Sequence, residues 1–371
     1  MSSLYLRADT RLLSNRLWLV AGARYERTDD SGEGVLSDPT AIYRRNPDGS
    51  FVMEGGNRVP ITTDPIEQAR LIYQERATYV NKDYGTLHPS FNATYNLGDN
   101  LILRAGYART LGRPNFSFIV PGSRVAEPTT AAPNGTITIN NTGLKPWLAN
   151  SFDVAVEYYL KSQGVVSVGV FRKDFSNFFG RMTTEGTADV LESYGLDPNS
   201  FLGYDIITMN NVGDARVTGL DLSYSQKLGF LPAPLKGFSV FANGTSLQLE
   251  GANTADFSNF TRRQVNAGIG YSYKKLSMNL KWNYRGRQRG SLQVGAAIPG
   301  ETYEWTAPRL QVDADISYAF RPWLGFFAAV RNLTKDNLVF QRYGPATPRY
   351  GWGFRDEDYG AQWTFGVKGR F

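Results

Sequence analysis

Leu276-Ser277-Met278-Asn279-Leu280-Lys281-Trp282-Asn283-Tyr284-Arg285 alternates apolar and polar without exception over ten residues. A period of two places Leu276, Met278, Leu280, Trp282 and Tyr284 on one face of a strand, and Ser277, Asn279, Lys281, Asn283 and Arg285 on the other. The same pattern recurs on both sides. Val265, Ala267, Ile269, Tyr271 and Tyr273 oppose Gln264, Asn266, Gly268, Gly270 and Ser272. Leu310, Val312, Ala314, Ile316 and Tyr318 oppose Gln311, Asp313, Asp315 and Ser317. Further out, Phe91, Ala93 and Tyr95 oppose Asn92, Thr94 and Asn96, while Phe152, Val154, Val156 and Tyr158 oppose Ser151, Asp153 and Glu157. A sandwich core would not tolerate so hydrophilic a second face. Apolar outside and polar inside, with an aromatic near one end of each segment, predicts a transmembrane β-barrel.

Composition agrees. The chain has 371 residues with 38 Gly, 21 Tyr, 22 Phe and 7 Trp, but only 42% hydrophobic residues. That mixture suits many short strands better than a helical core. No run of 18 apolar residues exists to cross a membrane as a helix. The absence of Cys excludes thiol, disulfide and iron–sulfur chemistry, and a single His argues against zinc hydrolysis and most acid–base catalysis. A net charge of +6, spread along the chain, gives no nucleic-acid footprint. The N-terminus has no signal-peptide pattern, which by itself would suggest the cytoplasm and is at odds with the alternation.

Thirteen strands are predicted, over 3–13, 17–28, 83–97, 101–110, 151–161, 165–179, 208–228, 238–250, 261–274, 276–287, 308–320, 324–333 and 359–371. Short turns (Ser14–Arg16, Gly98–Asn100, Ser162–Gly164, Gly229–Gly237, Lys274–Leu276, Arg321–Trp323) alternate with longer loops (29–82, 111–150, 180–207, 251–260, 288–307, 334–358). This is the turn–loop asymmetry of outer-membrane barrels, whose strand number is even. Thirteen is odd, so part of a barrel is expected. Two short loop helices are predicted: one after the N-cap Asp64 with Pro65 and Glu67, running through Ala69–Ala77, and one over Ala188–Tyr194 between Thr187 and Gly195.

Several stretches resemble the β-barrel of TonB-dependent receptors, the energised importers of the outer membrane. They are Leu87-His88-Pro89-Ser90-Phe91-Asn92, Leu101 to Phe116, Asn141 to Ala149 with its Leu144-Lys145-Pro146, and Val170 to Phe178. They continue with Asn211-Val212-Gly213-Asp214-Ala215-Arg216-Val217-Thr218-Gly219-Leu220-Asp221, Val330-Arg331-Asn332-Leu333-Thr334-Lys335-Asp336 and the terminal Phe371. Leu231 to Gly237, rich in proline, is similar to a subgroup associated with carbohydrate uptake. The resemblance implies an all-β, antiparallel, up-and-down barrel of 22 strands, of which residues 1–371 would be the C-terminal portion, leaving about nine strands to be supplied. No signal peptide, TonB box or plug domain is recognisable.

Its implied function is import, not catalysis. The full-length protein would bind a large scarce solute, a ferric siderophore or an oligosaccharide, and use energy transmitted by TonB through the missing N-terminal region. Its surroundings would be outer-membrane lipid and lipopolysaccharide of a bacterial cell. A passive porin-like channel is the alternative. No cofactor and no resident metal are expected. Trp363, Phe365, Val367 and Phe371 resemble the signal read by the barrel-assembly machinery, with an ordinary last strand as the plainer reading.

The substrate candidates lie in the last long loop: Tyr343, Arg349, Tyr350, Trp352, Phe354 and Arg355. Aromatic faces can stack on a solute while guanidinium groups hold its polar atoms; a self-packed loop is the plainer reading. Trp147, Tyr204, Tyr303 and Trp305 are weaker candidates of the same kind. Lys281, Arg285, Lys368 and Arg370 could steer an anionic ferric chelate from inside the barrel, or simply sit in a wet lumen. Asp356, Glu357 and Asp358 suit a hard cation less well than a solvated turn. His88 and Ser90 share a strand face, but without an acidic partner at motif spacing they read as a lumen pair.

Overall fold

Alternation fixes which side each residue faces, and strand pairing then joins those sides into one surface. The computed structural model describes every residue except 35, 75–79, 129–133, 252–258, 294–297, 299, 300, 370 and 371. Thirteen long strands form a single antiparallel ladder in chain order: β1 (Ser2–Leu12), β2 (Leu17–Gly32), β3 (Val80–Asn96), β4 (Leu101–Gly112), β5 (Trp147–Leu160), β6 (Gly164–Glu185), β7 (Asp205–Lys227), β8 (Phe238–Gly251), β9 (Arg263–Tyr273), β10 (Leu276–Arg285), β11 (Arg309–Arg321), β12 (Leu324–Arg331) and β13 (Gln362–Gly369). The predicted strands are therefore present. Among the described residues β1 pairs only with β2, and β13 only with β12. An odd number of antiparallel strands leaves the first and last running the same way, so antiparallel closure takes an odd number of further strands.

Register carries the apolar face across the whole ladder. Leu6 lies opposite Ala23, Phe91 opposite Tyr107, and Val154 opposite Val170. Ile269 faces Leu280, Leu280 faces Ala314, and Ala328 faces Phe365. These side chains stay exposed: Leu6 is 78% accessible, Val154 46% and Phe365 82%. A continuous exposed apolar belt needs another apolar medium against it, and strands of this length can cross a bilayer. The opposite face is tied by polar ladders. Arg104 makes a bidentate bond to Glu157 (2.8 and 3.2 Å), and Asn279 donates to Asp315 (2.8 Å). No helix among the described residues is long and apolar enough to cross a membrane.

The turns at one end are tight. Leu13, Ser14 and Asn15 all take left-handed φ angles of 53 to 66°, as does Lys274 at 53°. At the other end the chain is longer than the loop boundaries implied. β6 and β7 run on to Glu185 and back from Asp205, shortening the expected loop 180–207 to 186–204. The last strand begins at Gln362, not 359. Both predicted loop helices form: Pro65–Ile72, where the Asp64 carboxylate accepts from the Ile66 N–H at 2.8 Å, and Ala188–Ser193, followed by Gly195 at φ +67°. The first ends at Ile72, short of the expected Ala77, which lies outside the described residues.

Two assemblies stand on this end. The first, the cap, packs Val125, Ile137, Leu191, Leu196, Phe201 and Ile206 into a buried core over the middle strands. It joins the short hairpin Ser123–Ala126/Thr136–Ile139 to the helices Ala188–Ser193 and Pro198–Phe201. The second, the crown, is a five-stranded sheet of Phe260–Thr261, Gln288–Leu292, Tyr303–Thr306, Leu338–Tyr343 and Gly353–Glu357. Apart from Thr261, inside the expected strand 261–274, these segments fall in the expected loops 251–260, 288–307 and 334–358. Two to six residues each are too few for alternation to show.

Candidate functional site

The crown is held by aromatic rings and guanidinium groups. The ring of Tyr343 lies nearly parallel to both Trp305 (5.2 Å, 11°) and Trp352 (4.0 Å, 15°). Trp305 Nε1–H donates to the Tyr343 carbonyl and Trp352 Nε1–H to the Thr347 carbonyl, fixing both indoles. Arg287 sits over Tyr343 and Trp352, at 5.5 and 5.7 Å from their centroids, and Arg349 over Trp352 at 6.0 Å. Arg342 lies over Phe354 (3.4 Å), Arg355 over Phe340 (4.2 Å) and Arg289 over Tyr303 (4.8 Å). Burial pushes the Tyr343 phenol above its usual range, against the pull of Arg287.

This arrangement divides the sequence candidates. Tyr343 is only 9% exposed, so its ring is committed to its neighbours. Tyr350, two residues before Trp352 in the chain, is 93% exposed; Phe354 is exposed as well. Arg349 and Arg355 sit against this group, so the six loop residues are brought into one region. Tyr303 and Trp305 join them through the crown sheet. Arg287 and Arg289 belong to the same region and were not singled out from sequence, because only strand pairing carries them there.

Other candidates fall elsewhere. Trp147 packs on Phe175 (5.5 Å), and a Cβ at Gly112 would lie 1.9 Å from its indole, so it is a wall residue. Tyr204 packs edge-on against Phe201 in the cap, 5.5 Å away. Arg355 pairs with Glu357, which also accepts from the Tyr359 hydroxyl, while Asp358 accepts from the Gly360 N–H. His88 Nε2 is bonded to Thr86 Oγ1 at 2.8 Å. His88 and Ser90 line a polar-face cavity of about 870 Å³ with Arg7, Arg24, Arg104 and Asp153. Lys281 lies opposite Asp313 and Arg285 opposite Arg309, whereas Lys368 sits over Phe327. Arg370 and Phe371 lie outside the described residues. Trp363, Phe365 and Val367 point to the apolar face of β13, all more than 60% exposed.

The junctions between wall and loops use the stretches that carried the family resemblance. Asn211 accepts from the Lys145 N–H (2.9 Å) and donates to the carbonyls of Lys145 (2.8 Å) and Asn177 (2.7 Å). Asn332, buried and at φ +55°, donates to the carbonyls of Asp336 and Gly360 and accepts from the Asp336 N–H; its own N–H reaches Asp313. These amides turn the chain at the rim, where the ladder ends and backbone groups need other partners.

An exposed apolar belt, a polar opposite face, tight turns at one end and a structured crown at the other are the features of an outer-membrane barrel wall. The family model described as TonB dependent receptor-like, beta-barrel matches residues 1–333. The chain belongs to the TonB-dependent receptor family. No curated protein matches it in sequence. Among solved structures it is similar to a mutant of the ferric enterobactin receptor of Pseudomonas aeruginosa (18% identity, TM-score 0.59), covering 100% of this chain and 53% of that one. It is also similar to the ferric citrate transporter FecA (15%, 0.59; 99% and 44%). A third is the Serratia marcescens hemophore receptor HasR, solved as a double mutant with its hemophore and heme (15%, 0.59; 100% and 51%). The chain thus spans about half the length of these relatives.

Proposed function

We propose that residues 1–371 are the C-terminal part of the barrel wall of an outer-membrane importer, together with its extracellular loops. The complete protein binds a large, scarce solute at the crown end and admits it to the periplasm with energy transmitted by TonB. Outer-membrane lipid and lipopolysaccharide surround the belt. The observation that carries this reading is the crown itself: an exposed ring at Tyr350, close in the chain to a stack backed by Arg287 and Arg349. Guanidinium groups over rings suit an anionic ferric chelate better than a neutral oligosaccharide. Trp363, Phe365, Val367 and Phe371 serve as the signal for the barrel-assembly machinery, three of them exposed along an edge strand open to strand addition.

The test is uptake by the full-length gene product in a receptor-deficient outer-membrane host. Radiolabelled ferric chelate should accumulate, and collapse of the proton-motive force should stop it. Accumulation of a labelled oligosaccharide in its place overturns the solute class. The second reading is a passive channel, because the polar face of an unplugged wall would border water. Steady planar-bilayer conductance, with uptake indifferent to uncoupler, would establish that reading and sink the first.

A further inference from the structure

At the foot of the crown, strand pairing changes hands. β8 pairs with β9 up to Ser246 and Arg263, while the chain just before Arg263 turns away to pair Thr261 with Gln288 and Phe260 with Arg289. A notch opens at that bend, with a volume of about 530 Å³. Arg262, Arg263, Arg287 and Arg289 all line it, with Trp305 and Tyr284 among its other walls. Among the described residues no carboxylate lines it.

Four arginines lining one small space concentrate positive charge there, which favours a negative group beside them. Two described carboxylates adjacent in sequence to its walls are engaged elsewhere: Glu304 holds Arg342, and Glu250 lies beside Arg216. Among the described residues none of the four arginines forms an ion pair. Arg287 and Arg289 instead rest on the rings of Tyr343, Trp352 and Tyr303, which position a guanidinium without neutralising it. Such forks suit the oxygens of a phosphate, which they can bind in pairs. By strand register Arg263 and Tyr284 belong to the apolar face, so the notch also reaches the top of the membrane belt.

We infer that this notch is a binding site for a multiply charged phosphate group, at the foot of the stack proposed to meet the imported solute and sharing Arg287 and Trp305 with it. The phosphate can come from two sources: a phosphorylated lipid headgroup at the belt, or a free phosphorylated solute at the rim.

The experiment uses the full-length gene product in zwitterionic detergent, with inorganic tripolyphosphate titrated calorimetrically. Lipid that co-purifies from membranes is read by native mass spectrometry. A free-anion site gives one-to-one tripolyphosphate binding that weakens at least tenfold in Arg263→Gln/Arg289→Gln and is unchanged in Lys274→Gln/Lys275→Gln at the opposite turn. A headgroup site gives a phosphorylated lipid retained by the wild type and lost from the Arg263→Gln/Arg289→Gln variant. Heat-modifiable gel mobility reports folding. Should the double variant fail to fold, Arg262→Gln and Arg263→Gln alone, both exposed side chains, are expected to lose about threefold each. Neither ligand binding, or binding that survives these substitutions, overturns the site.

Discussion

The cap and the crown stand on the same end of one sheet, yet opposite physics holds them. The cap hides Val125, Ile137, Leu191 and Ile206 almost completely from solvent. Its Tyr204 phenol is pushed up by that burial. The crown has no buried aliphatic cluster among the described residues; rings and arginines stack at its surface. A dry core is close-packed and penalises any change of volume. Cation–ring contacts, worth about 0.5–1 kcal/mol each when exposed, can be exchanged for contacts with a solute at little cost. The difference marks the cap as a fixed buttress and the crown as the adaptable surface.

That contrast can be broken at the cap first. Phe201→Ala removes a buried ring from a closed core and should cost about 3–5 kcal/mol of local stability, read as lost amide-exchange protection across 186–206. Retained protection would mean the cap core contributes little. Asn332→Ala, which strips several bonds from the rim turn, should cost about 1–3 kcal/mol and loosen 332–336 and 360 together. Trp352→Ala should cost less, about 1–2 kcal/mol, but should weaken solute binding severalfold. Equal stability losses for Trp352→Ala and Phe201→Ala would erase the distinction between the assemblies.

A smaller effect comes with acid. The Ser200 hydroxyl and the Asn199 N–H hold the Asp197 carboxyl below its usual range at the start of Pro198–Phe201. A depressed folded value means the cap's stabilisation is whole above the unfolded pKa of about 3.9. It is lost as pH falls through the lower folded value. Exchange across 198–201 should therefore rise below about pH 4, whereas Asp197→Asn should show no such step. Smallest of all in stability is Tyr350→Ala, within about 0.5 kcal/mol at an exposed position. Its solute affinity should nonetheless fall; an unchanged affinity removes Tyr350 from the site.

Much of the wall was legible in sequence. Segments such as Leu276–Arg285 state both faces of a strand, and ten residues of strict alternation leave little room for another fold. The resemblance stretches around Asn211 and Asn332 were visible as text, but their work as amide clamps was not. Their partners lie up to 66 residues away in the chain. The crown strands of two to six residues were too short to announce themselves. Nothing local in the sequence marks Arg287 or Arg289.

Sequence alone determined the alternation, the thirteen strands, their turn–loop polarity and the two loop helices, because each follows from side-chain direction or capping within a few residues. Tertiary structure alone decided which aromatics remain free. Tyr343 and Tyr350 are seven residues apart and chemically alike, yet one is stacked between neighbours and the other lies open to solvent. It also decided that four arginines from two separate segments meet in one notch. Burial and charge convergence depend on what distant strands bring alongside, and that is set by register rather than by any local pattern.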